Sequence, residues 1–599
     1  MHNADPEISA TRPYPARSRL TTALATVLMS ASIEAAVITV TSTEDTTLPD
    51  ECTLWDAIRS ATYQQSYGSC TPGDSDHNEI VFASELGPSI QLQLGALIIS
   101  EPLTITGPGP DHLTIDAQNA SPIFITEAAT TFSGLTVKNG FISSDSSHSN
   151  GGAAFYASAD LTLDDMVVTG NVSDHSGGAI RTTFNADLVI RNSEITHNSS
   201  QREGGGIHSE GPLEVENSII SYNQAHGTEH GGGGIHARNG AIISDSLITR
   251  NETFNNYSSG GGIYLHSGKL TLTGSEVSHN KTNAPNSPGG GIHIHSGSRL
   301  EVRTSTIAQN VTSEDNSSGG GISVRFGTFD IQDSEVIDNL TVGEGSHGAG
   351  IFKIVNGASE IKRSTIHANI NLGDDTSGGG ISLYGDLTID QSTLSYNYSF
   401  GSHSPGGAIT ANGDLEIINS TLSYNSAPGV GSTGGAIYQS NGLLRLQHAT
   451  LANNQSWDNG NAVYFDLDSE SAFLAYNSIF STIREGDEIC NKYFFTGSTN
   501  NLVTSNSCGE HGLLDESVAT VSEIGLGSLR DNGGMTRTHT LSANSIAVDQ
   551  AAYHVCTNDS VSGLDQRGVP RSQKSKHSCD IGAYELKPLI DYIFTNRFE

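Results

Sequence analysis

Gly204-Gly-Gly-Ile-His208 recurs as Gly260-Gly-Gly-Ile-Tyr264 and again as Gly319-Gly-Gly-Ile-Ser323. On either side of these units the same position, an apolar residue after a glycine corner, falls at Ala154, Ile180, Ile207, Ile235, Ile263, Ile292, Ile322, Ile351, Ile381, Ile409, Ile437 and Val463. These twelve positions are 26 to 30 residues apart. A second file keeps step with them: Asn139, Asn171, Asn198, Asn223, Asn251, Asn280, Asn310, Asn339, Asn369, Asn397, Asn425 and Asn454. Two files in step define an internal repeat with the period of a solenoid.

The residues between the files decide which solenoid. Leu213-Glu-Val-Glu-Asn-Ser-Ile-Ile220 and Leu387-Thr-Ile-Asp-Gln-Ser-Thr-Leu394 alternate apolar and polar, the pattern of short strands with one face inward. Residues 213, 215 and 219 are expected to point into the core. No leucine-rich frame and no sustained 3.6-residue periodicity appears. Glycine supplies the backbone angles of sharp corners, and stacked Asn amides can bond from coil to coil. The reading is all-β: a single-stranded right-handed parallel β-helix of about twelve coils, with repeats over residues 131–482.

A solenoid leaves sheet edges and core open at its ends, so caps are expected. In residues 37–130, Leu54, Trp55, Ile58 and Ala61 fall at helical spacing, predicting a short amphipathic helix over the first coil. An irregular cysteine-containing cap is expected over 483–586 and a tail over 587–599. At the start, Arg12, Arg17 and Arg19 precede an apolar run from Leu20 to Ile33, then Ala35 and Ala36. This reads as an export signal over residues 1–36. All six cysteines, Cys52, Cys70, Cys490, Cys508, Cys556 and Cys579, lie outside the repeats, which fits disulfides in an oxidising compartment. Six cysteines allow fifteen pairings, of which nearest-neighbour pairing is the simplest. No zinc-type spacing is present.

The formal net charge is −36, from 65 acidic and 29 basic residues. Such a surface argues against nucleic acid and anionic lipid as partners. No metal site and no cofactor is implied, although the acidity would tolerate Ca²⁺. No membrane span is expected in the mature chain.

Both ends resemble modules of exported bacterial proteins. Cys52-Thr-Leu-Trp-Asp-Ala57, with Asn78-Glu-Ile-Val-Phe82 and Leu103-Thr-Ile-Thr-Gly-Pro-Gly109, resembles the N-terminal module named for its Cys-Ser-Leu-Arg-Glu-Ala motif. Trp55 replaces that motif's Arg, and Asp56 its Glu. Leu526-Gly-Ser-Leu-Arg-Asp-Asn-Gly-Gly534, Asp565-Gln-Arg-Gly-Val-Pro-Arg571 and Cys579-Asp-Ile-Gly-Ala-Tyr-Glu585 look like the choice-of-anchor domain of bacterial surface proteins. The resemblance implies a β-helical stalk that is secreted or sits at the cell surface, associated with the outer membrane. It supplies no reaction.

The coils carry few groupings that could do chemistry. Asp374 and Asp375 follow Gly373, which resembles the Gly-Asp-Asp of polygalacturonases, and are the weak catalytic candidates. The accompanying Gly-His-Gly is matched only in part, by His347 in Ser-His-Gly. Arg181, Arg325 and Arg363 lack an obvious acidic cluster at matching positions, as a lyase would need. His208, His236, Tyr264 and His293 share one coil position, His266 and His295 another two residues on, and Tyr222, Tyr396 and Tyr424 a third file. An outward aromatic ladder follows, and His208, His236, Tyr264 and His293 are the ligand-binding candidates, for stacking on sugar rings. The function expected is a non-catalytic adhesin or glycan-binding stalk; the alternative is a lyase or glycoside hydrolase acting on acidic polysaccharide.

Overall fold

The computed structural model describes residues 36–587 apart from 75–76, 146–149, 356, 467–470, 483–486, 493–496, 509–515 and 572–577. Residues 1–35 of the expected signal and 588–599 of the expected tail lie outside them.

Residues 36–518 wind into a parallel β-solenoid. Each repeat contributes one strand to a 14-stranded sheet, two to a 31-stranded sheet that bends around the molecule, and a two-residue strand to a 12-stranded sheet. In one coil these are Ile207–Ser209, then Leu213–Glu216 and Ile219–Ser221, then Gln224–Ala225. Register is strict: Ile207 lies over Ile235, Ile235 over Ile263, and Ile263 over Ile292. The 14-stranded sheet exceeds the twelve expected coils by two, Leu97–Ile99 and Phe124–Thr126, which precede the glycine corners. Those early coils turn without the Gly-Gly signature, so the repeat count missed them.

Backbone corners explain where the alternation reading fails. Leu213 and Val215 are buried as expected, but Ile219 is 37% exposed and Ile220 points inward at 0%. Asn217 adopts the left-handed φ of 45°, and that corner reverses the phase of the alternation. The Asn file begins at Asn171, because Asn139 sits one position early in a left-handed corner (φ 55°) and Gly140 N–H donates to Asn171 Oδ1 at 2.8 Å. The left-handed residue is the one before each stacked Asn, as at His197, Tyr222, His279, Tyr396 and Tyr424. A third left-handed file, including Tyr257, Asn286 and Asn316, turns the loop before the glycine corner, and His230 takes a left-handed φ one position later in its own loop. At the corner itself Gly204 has φ 68°, and a Cβ there would lie 2.3 Å from the Ile207 carbonyl oxygen, so only glycine fits.

The core is one apolar file system from Ile38 to Cys508. It is largely aliphatic in the middle and aromatic near both ends: Phe124, Phe132 and Phe155 meet at 4.6 to 5.3 Å, and Phe473 packs against Phe465 at 5.2 Å. The helix Leu54–Tyr63 covers the first coils, burying Leu54, Ala57, Ile58 and Ala61 with Trp55 packed against the core. Thr53 caps its start by accepting from Asp56 N–H at 3.2 Å. Cys52–Cys70, Cys490–Cys508 and Cys556–Cys579 form the disulfides, the nearest-neighbour pairing.

The C-terminal region divides in two. Asn501–Val503 and Glu516–Val518 extend the sheet beyond Ile479–Ser481 and end the solenoid. From Ala519 the chain turns back along the side of the coils and builds a second small core on Ile479 and Leu502 with Ile524, Leu541, Ala547 and Ile581. Its polar anchors are specific. Gln566 donates to Ser392 O and Thr393 Oγ1 and accepts from Thr421 Oγ1, at 3.1, 2.8 and 2.6 Å. Arg571 Nη2 donates to Asn419 Oδ1 at 2.9 Å, and Ala583 N–H donates to Thr450 Oγ1 at 3.0 Å. This segment is a lateral clamp as well as a closure. Among the described residues no helix is long and apolar enough to cross a membrane.

Candidate functional site

The middle residue of each strand in the 14-stranded sheet points away from the core. In four successive coils it is His208, His236, Tyr264 and His293. Their rings stack at centroid distances of 4.7, 4.8 and 5.3 Å, with interplanar angles of 17°, 21° and 23°. The expected ladder therefore forms, but it is not an open platform: exposures are 4, 2, 2 and 2%. The glycine corners fold back over it. A Cβ on Gly204 would meet the His208 Cβ at 3.0 Å, and His236 Nδ1 lies 3.3 Å from the Gly231 carbonyl oxygen. The stack is a floor, and the exposed surface belongs to its neighbours.

Beside the floor lies a groove of about 760 Å³ that reaches from Glu229 and His230 across the coils to Phe352 and Tyr384. Tyr257 is 61% exposed and Tyr384 49%, so the rims carry open aromatic faces. His230 reaches over the floor and shares a 2.9 Å hydrogen bond, through Nδ1, with the Tyr264 hydroxyl. His295 lines the groove and stacks at 5.5 Å on His266, which lies outside the lining. Arg325 lines the groove, lies 5.3 Å over the Phe326 ring, and has no ion pair among the described residues. Glu229 is the one carboxylate of the lining.

Burial sets the protonation of this face. Desolvation pulls His293 down to about 3, with His295 and Arg325 adding to the effect, and pulls His295 down to about 4, with His266 and Arg325 adding. His236 is held well below the usual imidazole value, first by burial and then by the charge of His208. Burial lowers His208 too, opposed by Glu210 at 3.7 Å, and raises the Tyr264 phenol. At neutral pH these five side chains are uncharged.

The other expected residues fall elsewhere. Asp374 and Asp375 lie in an exposed turn outside the groove: Asp374 Oδ1 accepts from Ser402 N–H at 2.7 Å, and Asp375 lies 3.7 Å from His403 with left-handed φ. Arg363 is committed to Asp333 through two bonds of 2.6 and 2.7 Å, and Arg181 to Glu210 at 3.1 Å. His347 joins the groove through its ring, which stacks near Phe352 at 5.9 Å. Tyr222 stacks on His197 at 4.8 Å, and Tyr396 on Tyr424 at 5.0 Å, at a different corner. Sequence reading missed His230, Tyr257 and Tyr384 as groove residues. Tyr257 shares its coil offset and left-handed turn with Asn286 and Asn316, whereas His230 sits one position later in its loop and Tyr384 at a strand end, so no common file announces the three.

Among the described residues, the group of His, Cys, Asp or Glu ligand atoms that already converges within 4.8 Å is His448 with Cys556 and Cys579, and those two cysteines are bonded to each other. The protein is thus of the parallel β-solenoid class, with an aromatic and imidazole groove on one sheet. The chain matches no protein family and no curated protein.

Proposed function

We propose that the protein is an exported glycan-binding solenoid whose ligand lies in the groove between Tyr257 and Tyr384. The observation that carries this reading is the groove itself: open aromatic rims, a neutral ring floor and Arg325 without a carboxylate partner. Sugar rings present apolar faces to aromatic side chains and hydroxyls to imidazoles, and a guanidinium pairs with a sugar carboxylate. A uronate-containing chain suits this set better than a neutral one.

Export is supported by the N-terminal sequence pattern and by three disulfides. The two end motifs support kinship with the Cys-Ser-Leu-Arg-Glu-Ala and choice-of-anchor modules of bacterial surface proteins. Cys52 and the Leu54–Tyr63 helix close the first coils, while Asp565–Arg571 and Cys579–Glu585 come together on the coil side. The alternative, a hydrolase with paired carboxyls, finds one carboxylate in the groove lining where that mechanism uses two.

The test is full-length protein on an array of acidic and neutral glycans, with release of reducing ends or unsaturated uronates followed in parallel. Retention of uronate chains without product is expected, lost in Tyr257→Ala with Tyr384→Ala and weakened in Arg325→Gln. Retention unchanged in both variants, or formation of product, overturns the proposal.

A further inference from the structure

Three histidines, two of them in the groove lining, form a cluster whose mutual geometry the glycan reading does not explain. His230 comes from the loop corner, and His266 and His295 from adjacent coils just past the strand ends. Their ring centroids stand 5.5 Å (His230–His266), 5.5 Å (His266–His295) and 6.0 Å (His230–His295) apart. With a Zn–N bond of about 2.0–2.1 Å, three tetrahedrally bound imidazoles hold their centroids about 5.2 Å apart, and a flatter trigonal set about 5.5 Å apart. Two of the observed separations equal the trigonal figure and the third exceeds it by half an ångström.

The partners of the rings point the same way. His230 is tied through Nδ1 to the Tyr264 hydroxyl at 2.9 Å, and His295 through Nδ1 to Ser296 Oγ at 2.6 Å. Each bond fixes Nδ1 and leaves Nε2 for a ligand. An outer hydrogen bond to one ring nitrogen is the usual way in which a metal-bound histidine is oriented through the other. Tyr264 is itself fixed by the stack between His236 and His293. His266 and His295 are now near parallel, at 21°, so a bound ion requires the two rings to tilt toward each other about χ2.

We infer that His230, His266 and His295 form a three-histidine site for a divalent transition ion of the zinc class, with its remaining position open to the groove. Imidazole nitrogen suits zinc, copper and nickel over calcium or magnesium, and three protein ligands with an open position is the arrangement of exchangeable rather than sealed zinc sites. The inference stands without the glycan reading. Arg325, whose charge is felt at His295, separates the two: its removal weakens uronate retention but relieves repulsion of a cation.

Chelator-stripped full-length protein is titrated with Zn²⁺ by calorimetry, and with Co²⁺ while visible absorption is recorded. A saturable site is expected, with the intense visible bands of four-coordinate Co²⁺. His266→Gln and His295→Gln should each weaken it at least tenfold, and Arg325→Gln should tighten it. Far-ultraviolet circular dichroism checks that each variant keeps its β-structure, and His279→Gln, a histidine at another corner, should bind as the parent does. Binding that survives both His266→Gln and His295→Gln, or no saturable uptake by the parent, overturns the inference whatever the glycan array shows.

Discussion

Asn310 shows how much one side chain carries in this fold. Its Nδ2 donates to Val277 O at 2.9 Å and to Asn339 Oδ1 at 3.0 Å. Its Oδ1 accepts from the backbone N–H and the Nδ2 of Asn280, both at 3.0 Å. The residue is wholly buried, and so are Asn280 and Asn339. Replacing it with Ala strands two donors of Asn280 in the core, its backbone N–H and one N–H of its amide. Each stranded group costs about 1–3 kcal/mol, so Asn310→Ala should destabilise its coils by on the order of 3 kcal/mol or more. Asp374→Ala, at an exposed turn, should change stability by no more than about 0.5 kcal/mol. Hydrogen exchange read coil by coil is the suitable measurement, since a long repeat array need not unfold as one unit. Equal exchange in the two variants would show that the amide file is not what holds the corner.

At the scale of the element, the four-ring stack makes the middle coils sensitive to acid. His236 and His293 are buried and held neutral in the fold, whereas in the unfolded chain they titrate at their ordinary value of 6.5. The folded state then binds fewer protons than the unfolded one below pH 6.5. Stability is complete above that pH and falls as the solution is acidified toward the folded value, about 3 for His293. Each imidazole that stays neutral contributes a slope of about 1.4 kcal/mol per pH unit in this window. The double variant His236→Phe with His293→Phe retains stacking rings that cannot titrate. Urea midpoints measured from pH 7 to pH 4.5 should fall clearly less steeply in that variant than in the parent, whatever its stability at pH 7. Parallel slopes would place the acid sensitivity elsewhere.

Across the whole molecule, what could be read from sequence follows the reach of the interactions. The coils were legible because Gly204 and Ile207 recur with their neighbours at fixed offsets, and strict register converts that spacing into geometry. The groove was legible only in its floor. His208, His236, Tyr264 and His293 share one coil offset, while the rim residues Tyr257 and Tyr384 belong to different corners. The path of the C-terminal clamp was not legible at all, since Gln566 and Thr421 meet across 145 residues with no local pattern to announce it. That clamp holds a buried charge network: Asp565, Asp580 and Glu585 against Arg567 and Arg571, with Asp565–Arg567 at 2.7 Å and Arg571–Glu585 at 3.6 Å. Three acids face two guanidiniums, and an arginine does not give up its proton, so one carboxyl is left without full compensation. Burial, followed by the Asp580 charge, pushes Glu585 up to about 8, against the opposing pull of Arg571. The docked clamp therefore binds more protons than the released one between pH 4.5 and 8, and its attachment should weaken as pH rises through that window, opposite in sign to the histidine stack. Hydrogen exchange of residues 519–587, with the intrinsic pH dependence of exchange divided out, should show several-fold more frequent opening at pH 8.5 than at pH 6 while the coils at 207–294 stay protected. Glu585→Gln should abolish that rise, because a neutral amide keeps the shape of the protonated carboxyl and cannot lose a proton. A rise of equal size in Glu585→Gln would move the titrating group to Asp580, which burial also shifts upward.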